Sequence, residues 1–450
     1  MKISKKTIIG FLIILLGLIL RLLALNQSFW LDEAITAKVT NFSFREIFIF
    51  LKNDFNPPLY YIIVKIWAGF FGNSEISLRI PSIIFSLLSI SLTYQLAKIW
   101  LNDKTKSAAI LLATSPLHIY YSQEARAYSL ACLLVLLTLF LFQKSLSRPK
   151  FWFLFSMSLI TMVFSHYQTI LFLPVLPVFL IFKKDQKNLR KLFLALLPLL
   201  IIFIFYWPIF QSQLSSGQQI GKGWTSVIGK LSGKNIGLLL VKFIIGRISI
   251  ENKMVYGVLS VILAVIFWGL AFLGASSSLY SLSLFLPIIL GIFMGIFLPI
   301  FSYFRFSYLL PFFYILIVKG INKLPSRKIA GILFILIITT NLLCSFTYLL
   351  NPRFHRENWR LAVSLLEKNY PQSPVFILDK IDTAFLYYNK GRLKLINPDN
   401  FDKYDQVNLI SYGLPIFDPK DKIRTELKDF GFKLVWGDSF NSVGIERWKK

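Results

Sequence analysis

The sequence predicts an all-α polytopic membrane protein of about eleven transmembrane helices, with a small α/β unit at its C-terminal end. Composition comes first. Of 450 residues, 55% are hydrophobic and 16% charged, and the mean hydropathy is +0.62, which is too apolar for a soluble domain. The apolar residues also fall in repeated runs close to the ~20 residues that cross a bilayer. After residue 350 those runs stop: "RENWRLAVSLLEKNY" has the period of an amphipathic helix and "SPVFILD" the look of a buried strand. The expected division is residues 1–350 as the transmembrane domain and 351–450 as a small soluble domain.

In chain order the expected spans are about 7–25, 78–101, 107–121, 124–143, 151–165, 167–182, 192–210, 254–274, 279–300, 306–320 and 328–350. The first follows a basic start with no small-residue cleavage site, so it is a retained helix rather than a signal peptide. A net charge of +27 in a soluble chain would point to nucleic acid. Here the cations sit in short loops instead: Lys2, Lys5 and Lys6, then Lys104 and Lys106, then the stretches 144–150, 183–191 and 319–328. If the spans alternate, all of these share one side, which the positive-inside rule makes cytoplasmic together with the N-terminus. Membrane lipid, not nucleic acid, is the partner this charge implies. Cys132 and Cys344 lie in separate apolar runs, which excludes a disulfide framework.

The opposite, external side carries the long segments. Loop 26–77 contains "FREIFIFLKND" and "PPLYYIIVKIWAGFFG", both expected to lie in the interface as helices. Segment 211–250 is expected to be flexible at "SSGQQIGKGW". Five polar clusters share this face: Asp32 and Glu33 in "FWLDEAITAKV", the "DFNPP" stretch with Asp54 and Asn56, "YSQEARAYS" with Glu124, Arg126 and Tyr128, "SHYQ" with His166, and "SYFRFSY" with Arg305 and Tyr308. Polar turns between spans are obligatory, but carboxylates at membrane depth cost several kcal/mol unless they meet water, a partner or a ligand. A catalytic cavity open to the outside would collect such groups.

If Ser122 caps the fourth span, Glu124 falls in its first turn, where the helix dipole favours an anion. Tyr121, Glu124 and Tyr128 then share a face and Arg126 points away. Arg126 and Arg305 are both suited to bidentate contact with phosphate oxygens. A divalent metal held by Asp54, Glu124 and His166 stays open as an alternative, although no tight ligand spacing argues for it.

Four of these stretches occur in a familiar order: "FWLDEA", "D-x-N-P-P-L-Y-Y" (Asp54 to Tyr61, with Tyr60), "SEISLRIPS" and "HIYYSQEARAYSL". In that order they resemble the bacterial and archaeal branch of the GT-C membrane glycosyltransferases, relatives of protein O-mannosyltransferases and of the enzymes that put aminoarabinose on lipid A. The resemblance is specific over about residues 20–135, weaker through "SHYQ" and "RFSYLLPF", and faint beyond. It implies transfer of a sugar, with inversion, from a polyprenyl-phosphate carrier to a protein, lipid or glycan acceptor at the external leaflet. In that family the aspartate of the first-loop acidic motif acts on the acceptor, which makes Asp32 the expected base and Glu33 a supporting or acceptor-orienting group. Many relatives carry histidine or lysine where this chain has Asn56, which leaves open a cation or metal ligand at that point. Two other classes compete: a transporter or flippase for a lipid-linked or anionic solute, and an envelope polysaccharide polymerase or ligase. A transporter would show repeated halves and polar groups at the midplane, and the sequence has neither.

Overall fold

The computed structural model describes residues 5–101, 105–228, 231–276 and 278–450. Lys2 and Lys104 of the basic loops lie outside the described residues. The chain opens with α1 (Lys5–Leu22), followed by three helices of the first loop: α2 (Leu31–Thr40), α3 (Phe44–Leu51) and α4 (Pro58–Phe71). Next come α5 (Glu75–Leu101), α6 (Thr105–Thr114), α7 (Pro116–Ser122), α8 (Tyr128–Ser147), α9 (Phe151–Ser165), α10 (Val175–Phe182) and α11 (Gln186–Ile228). The membrane part closes with α12 (Gly233–Ile245), α13 (Lys253–Gly274), α14 (Leu279–Phe297), α15 (Leu310–Asn322) and α16 (Arg327–Leu350). Among the described residues seven helices are long and apolar enough to cross a membrane, and four apolar helices are shorter. The protein is a multi-pass membrane protein.

Proline explains where helices and expected spans part. The run 107–121 is broken at Ser115, extended at φ −62° and ψ 120°, because Pro116 lacks the N–H that would continue α6 and instead opens α7 at its first turn. The run 167–182 divides into a 3-10 segment, Tyr167–Phe172, and α10. "SSGQQIGKGW", expected to be flexible, is instead the continuation of α11 as far as Ile228. The two amphipathic stretches of the first loop are helices, as their pattern predicts.

The C-terminal segment adds α17 (Trp359–Asn369), α18 (Thr383–Asn389), α19 (Leu414–Phe417) and α20 (Lys422–Asp429) to a four-stranded sheet. Its strands are β1 (Val375–Phe376), β2 (Gln406–Ile410), β3 (Lys433–Phe440) and β4 (Val443–Lys449), ordered β1-β2-β4-β3, with only β1 and β2 parallel. One apolar cluster joins this unit to the membrane part: Phe29, Leu31, Ala34 and Ala37 around α2, Leu78 of α5 and Ala125 pack with Trp359, Val363, Phe385 and Ile445. The loop of residues 26–77 therefore shares its core with the last hundred residues.

Within the bundle α13 and α15 make an extended contact that depends on two glycines. A Cβ at Gly320 would run into the Leu270 carbonyl, and one at Gly274 into that of Leu316. Small residues of this kind let backbones approach in a bilayer, where close packing replaces the hydrophobic drive. Gly320→Ala should cost about 1–3 kcal/mol by overpacking, read as a lower melting temperature and a smaller monodisperse fraction in detergent. The control is Gly331→Ala, which meets nothing within 4 Å.

Candidate active site

The acidic pair opens α2. Trp30 is extended before it, and Asp32 and Glu33 occupy its first turn, where the dipole favours anions. Neighbours on a helix point about 100° apart, so one faces inward and the other is left in partial contact with solvent. Glu33 is 0% exposed, and both of its oxygens are engaged: Arg79 Nε donates to Oε1 at 2.8 Å and Nη2 to Oε2 at 2.6 Å, while the Ala125 amide also donates to Oε1 at 2.8 Å. Burial would raise this carboxyl. The Arg79 charge and hydrogen bonds, with Arg356 and the Ala125 amide, outweigh it and hold Glu33 below the ordinary carboxylate range.

Asp32, by contrast, is 33% exposed and has one long ion pair, 3.4 Å to Arg126 Nη2. Arg126 also donates to Asn56 Oδ1 at 3.3 Å and to the Tyr61 hydroxyl at 3.4 Å. Asp54 accepts from Asn56 Nδ2 at 2.9 Å and from Tyr61 at 2.8 Å; burial pushes its carboxyl up, and the Asp32 charge adds to that. Pro57 and Pro58 start α4 and so aim Asn56 and Tyr61 at Arg126.

The turn between α7 and α8 supplies the next groups. Glu124 Oε2 accepts from Arg356 Nη2 at 3.4 Å, and its Oε1 is buried without a hydrogen-bond partner. Burial lifts its carboxyl to about 7, with Arg356 opposing and Glu33 reinforcing the shift. The Tyr121 and Tyr128 rings meet at 4.6 Å, and Tyr128 lies 5.6 Å from the His166 ring. Burial lowers the His166 imidazole to about 3, aided by the Arg305 and Arg126 charges, so it is neutral at physiological pH. Arg305 donates to the Pro299 carbonyl, and Arg247 lies over the Tyr120 ring at 5.0 Å. Neither arginine forms an ion pair among the described residues.

Residues 56–209 match the family model described as dolichyl-phosphate-mannose-protein mannosyltransferase. No curated protein sequence matches the chain. Among solved structures it is similar to ArnT from Cupriavidus metallidurans bound to undecaprenyl phosphate, at 12% identity and a TM-score of 0.59, over 98% of this chain and 97% of that one. The apo form of the same protein aligns at 14% identity and a TM-score of 0.58, over 99% and 98%. The Archaeoglobus fulgidus oligosaccharyltransferase, tethered with an acceptor peptide, aligns at 13% and 0.52, over 86% and 63%. The chain has the GT-C glycosyltransferase fold.

On this GT-C frame the five polar clusters of the sequence converge, but several members stand differently from expectation. Of the two parts expected of Glu33, supporting or acceptor-orienting, its contacts with Arg79 fit the supporting one. Tyr60 lies in the α4–α5 interface with its hydroxyl 3.0 Å from Ser82 Oγ, and Tyr61 takes its place beside Arg126. Tyr308 is 1% exposed and donates to the Gln168 carbonyl at 3.3 Å, which braces the "SHYQ" turn from behind. Ser122 ends α7 and does not cap α8, so Glu124 lies in the intervening turn and not in a first helical turn. Asp54, Glu124 and His166 form no metal cluster: among the described residues no three such ligands gather. Each already has another partner, Asn56 with Tyr61, Arg356, and the Gln168 amide respectively.

Four participants escaped sequence reasoning. Arg79 was visible in "SEISLRIPS" but carried no sign of its partner. Arg247, Arg356 and Glu357 sit in segments without a chemical pattern, and only the fold brings them in. The Glu124 shift has a measurable consequence. A carboxyl raised in the folded state favours folding below its unfolded value near 4.5, and that contribution is lost as pH rises toward about 7. Glu124→Gln removes the titration, so its melting temperature should gain on the wild type as pH goes from 5 to 7.5. Parallel melting curves would refute the shift.

Proposed function

We propose that the protein is a membrane glycosyltransferase that moves a sugar from a polyprenyl-phosphate carrier to a hydroxyl or comparable nucleophile of an acceptor, in one inverting displacement. The observation that carries this is Asp32: a partly exposed carboxylate held by one long ion pair, beside a neighbour that buried bonds lock in place. Asp32 takes the proton of the acceptor nucleophile as its oxygen bonds to the anomeric carbon. The bond from that carbon to the phosphate oxygen breaks, and the electron pair leaves with the phosphate. A phosphate monoester with a second pKa near ~6 needs cations, not a general acid. Arg305 and Arg247, which form no ion pair with a carboxylate among the described residues, suit that task. Arg126, expected from sequence to share it, instead orients Asp32 and Asn56. The fold, which ArnT bound to undecaprenyl phosphate shares, supports the choice of carrier class.

Asp32→Asn should abolish in-cell transfer by about two or more orders of magnitude, the usual scale for a lost general base. The assay is mass spectrometry of envelope glycans in a deletion strain complemented with each variant. Purified Asp32→Asn should still bind bare undecaprenyl phosphate within about twofold of wild type. Arg305→Lys should bind it about ten- to a hundredfold more weakly, as a lost charge-assisted fork contact predicts. Normal transfer by Asp32→Asn would remove the base from this scheme.

We place the site and residues 351–450 on the external side and the N-terminus in the cytoplasm, on the strength of the basic loops after α5, α8, α10 and α15. Cys132 and Cys344 are buried and give a quiet background for labelling. Cysteine at Lys52 or Asp429 should react with a membrane-impermeant thiol reagent in intact cells, and cysteine at Lys187 should not. All three positions are exposed, and the reverse pattern would invert the topology.

A further inference from the structure

Arg356 and Glu357 precede α17 and look in different directions. Arg356 turns into the buried carboxylates, 3.4 Å from Glu124 Oε2 and 3.8 Å from Glu33 Oε2, with its guanidinium 4.4 Å from the centre of the Tyr120 ring. That anchors the segment against the membrane part. Glu357 accepts a hydrogen bond from the Tyr412 hydroxyl at 3.0 Å on Oε1, while its Oε2 is buried without a partner. Tyr412 is itself positioned, packed edge-on at 5.1 Å against the fully buried Trp359.

Its neighbour Arg356 locates Glu357 among groups with proposed tasks: the Arg356 and Arg247 guanidiniums share the Tyr120 ring, at 4.4 and 5.0 Å, and Arg356 also reaches Glu33, next to Asp32, at 3.8 Å. The charges of Arg247 and Asp32 act on Glu357 as well, and that of Asp32 on Tyr412. In a single displacement the base with its nucleophile stands on one side of the anomeric carbon and the leaving phosphate on the other, so the group between them is the sugar. We propose that Glu357, steadied by Tyr412, accepts a hydrogen bond from a hydroxyl of the transferred sugar, and that the C-terminal segment thereby sets sugar specificity. A purely structural role fits poorly: Glu33 shows what a structural carboxylate looks like here, with three strong donors on two oxygens. Glu357 keeps one oxygen open, at the cost of a buried unsatisfied acceptor. Burial lifts its carboxyl to about 7, so near neutrality it accepts from a hydroxyl or donates to one.

The inference rests on the carrier reading above, and the test separates the two. Purified protein in lipid nanodiscs is titrated with bare undecaprenyl phosphate and with undecaprenyl phosphate bearing glucose, galactose, mannose or arabinose. The quantity read is the affinity of each loaded carrier relative to the bare one. Wild type should bind at least one loaded carrier more tightly. Glu357→Ala should cut that preference about ten- to a hundredfold, the scale of one hydrogen bond to a charged group, with bare-carrier affinity unchanged. Tyr412→Phe should cut it less, and Glu357→Gln should change which sugar is preferred. Unchanged preference in Glu357→Ala overturns the inference and leaves the carrier reading standing, as does a wild type that prefers none of the four. A wild type that does not bind the bare carrier overturns both. Unchanged bare-carrier binding also certifies that the variants are folded.

Discussion

The site depends on one buried ion pair, Glu33 with Arg79. Arg79 places every arm of its fork: Nε and Nη2 on the Glu33 carboxylate, Nη1 on the Leu25 and Gln27 carbonyls at 2.7 Å each, and Nη2 also on the Ser28 carbonyl at 3.1 Å. These bonds hold the chain leaving α1 and the first turn of α2 in one geometry. Because Asp32 precedes Glu33 on the same turn, locking one residue fixes where the other points. Removing one partner from such a pair strands a buried charge, at about 3–5 kcal/mol. Here that loss would also misdirect the Asp32 carboxylate beside it.

The carboxylates around the site form a gradient of satisfaction. Glu33 has three short donors, Glu124 one long arginine contact and a bare oxygen, Glu357 one tyrosine and a bare oxygen, and Asp32 a single pair at 3.4 Å in partial contact with solvent. Structural rigidity belongs to the first, and in the scheme we propose chemistry belongs to the last. A base tied by short bonds could not take a proton without first breaking them, whereas a long pair lets Asp32 exchange Arg126 for a substrate at small cost.

Much of this was legible in the sequence because a bilayer is a demanding solvent. Apolar runs, basic loops and polar clusters at span ends must satisfy it, so the helical class and the clustering of Asp32, Asp54, Arg126, His166 and Arg305 could be read directly. Pairing could not be. Nothing in "SLRIPS" says that Arg79 completes Glu33, and nothing in "RENWR" says that Arg356 reaches Glu124, because these contacts join positions 46 and 232 apart. Tyr60 and Tyr61 differ by one helical step, and the sequence has no way to say which faces Arg126. The break at Pro116 was visible as a residue, yet the apolar run across it outweighed it in the reading of spans.

The shared core of α2 and the C-terminal unit bears on how the protein is made. Gln27 Oε1 accepts from the Arg356 amide across 329 residues of chain, and Phe29 and Ala34 pack with Trp359 and Phe385. While the ribosome is still delivering the later helices, the first loop has neither those apolar neighbours nor the second arginine of its carboxylate network. Closing so long a loop is slow compared with forming the local helices on either side. The Asp32–Glu33 turn thus gains its full set of contacts only after the C-terminal segment has been made. A chain halted before residue 356 carries Asp32 beside the Glu33–Arg79 pair but without the Arg356 contacts and the C-terminal packing that complete its frame.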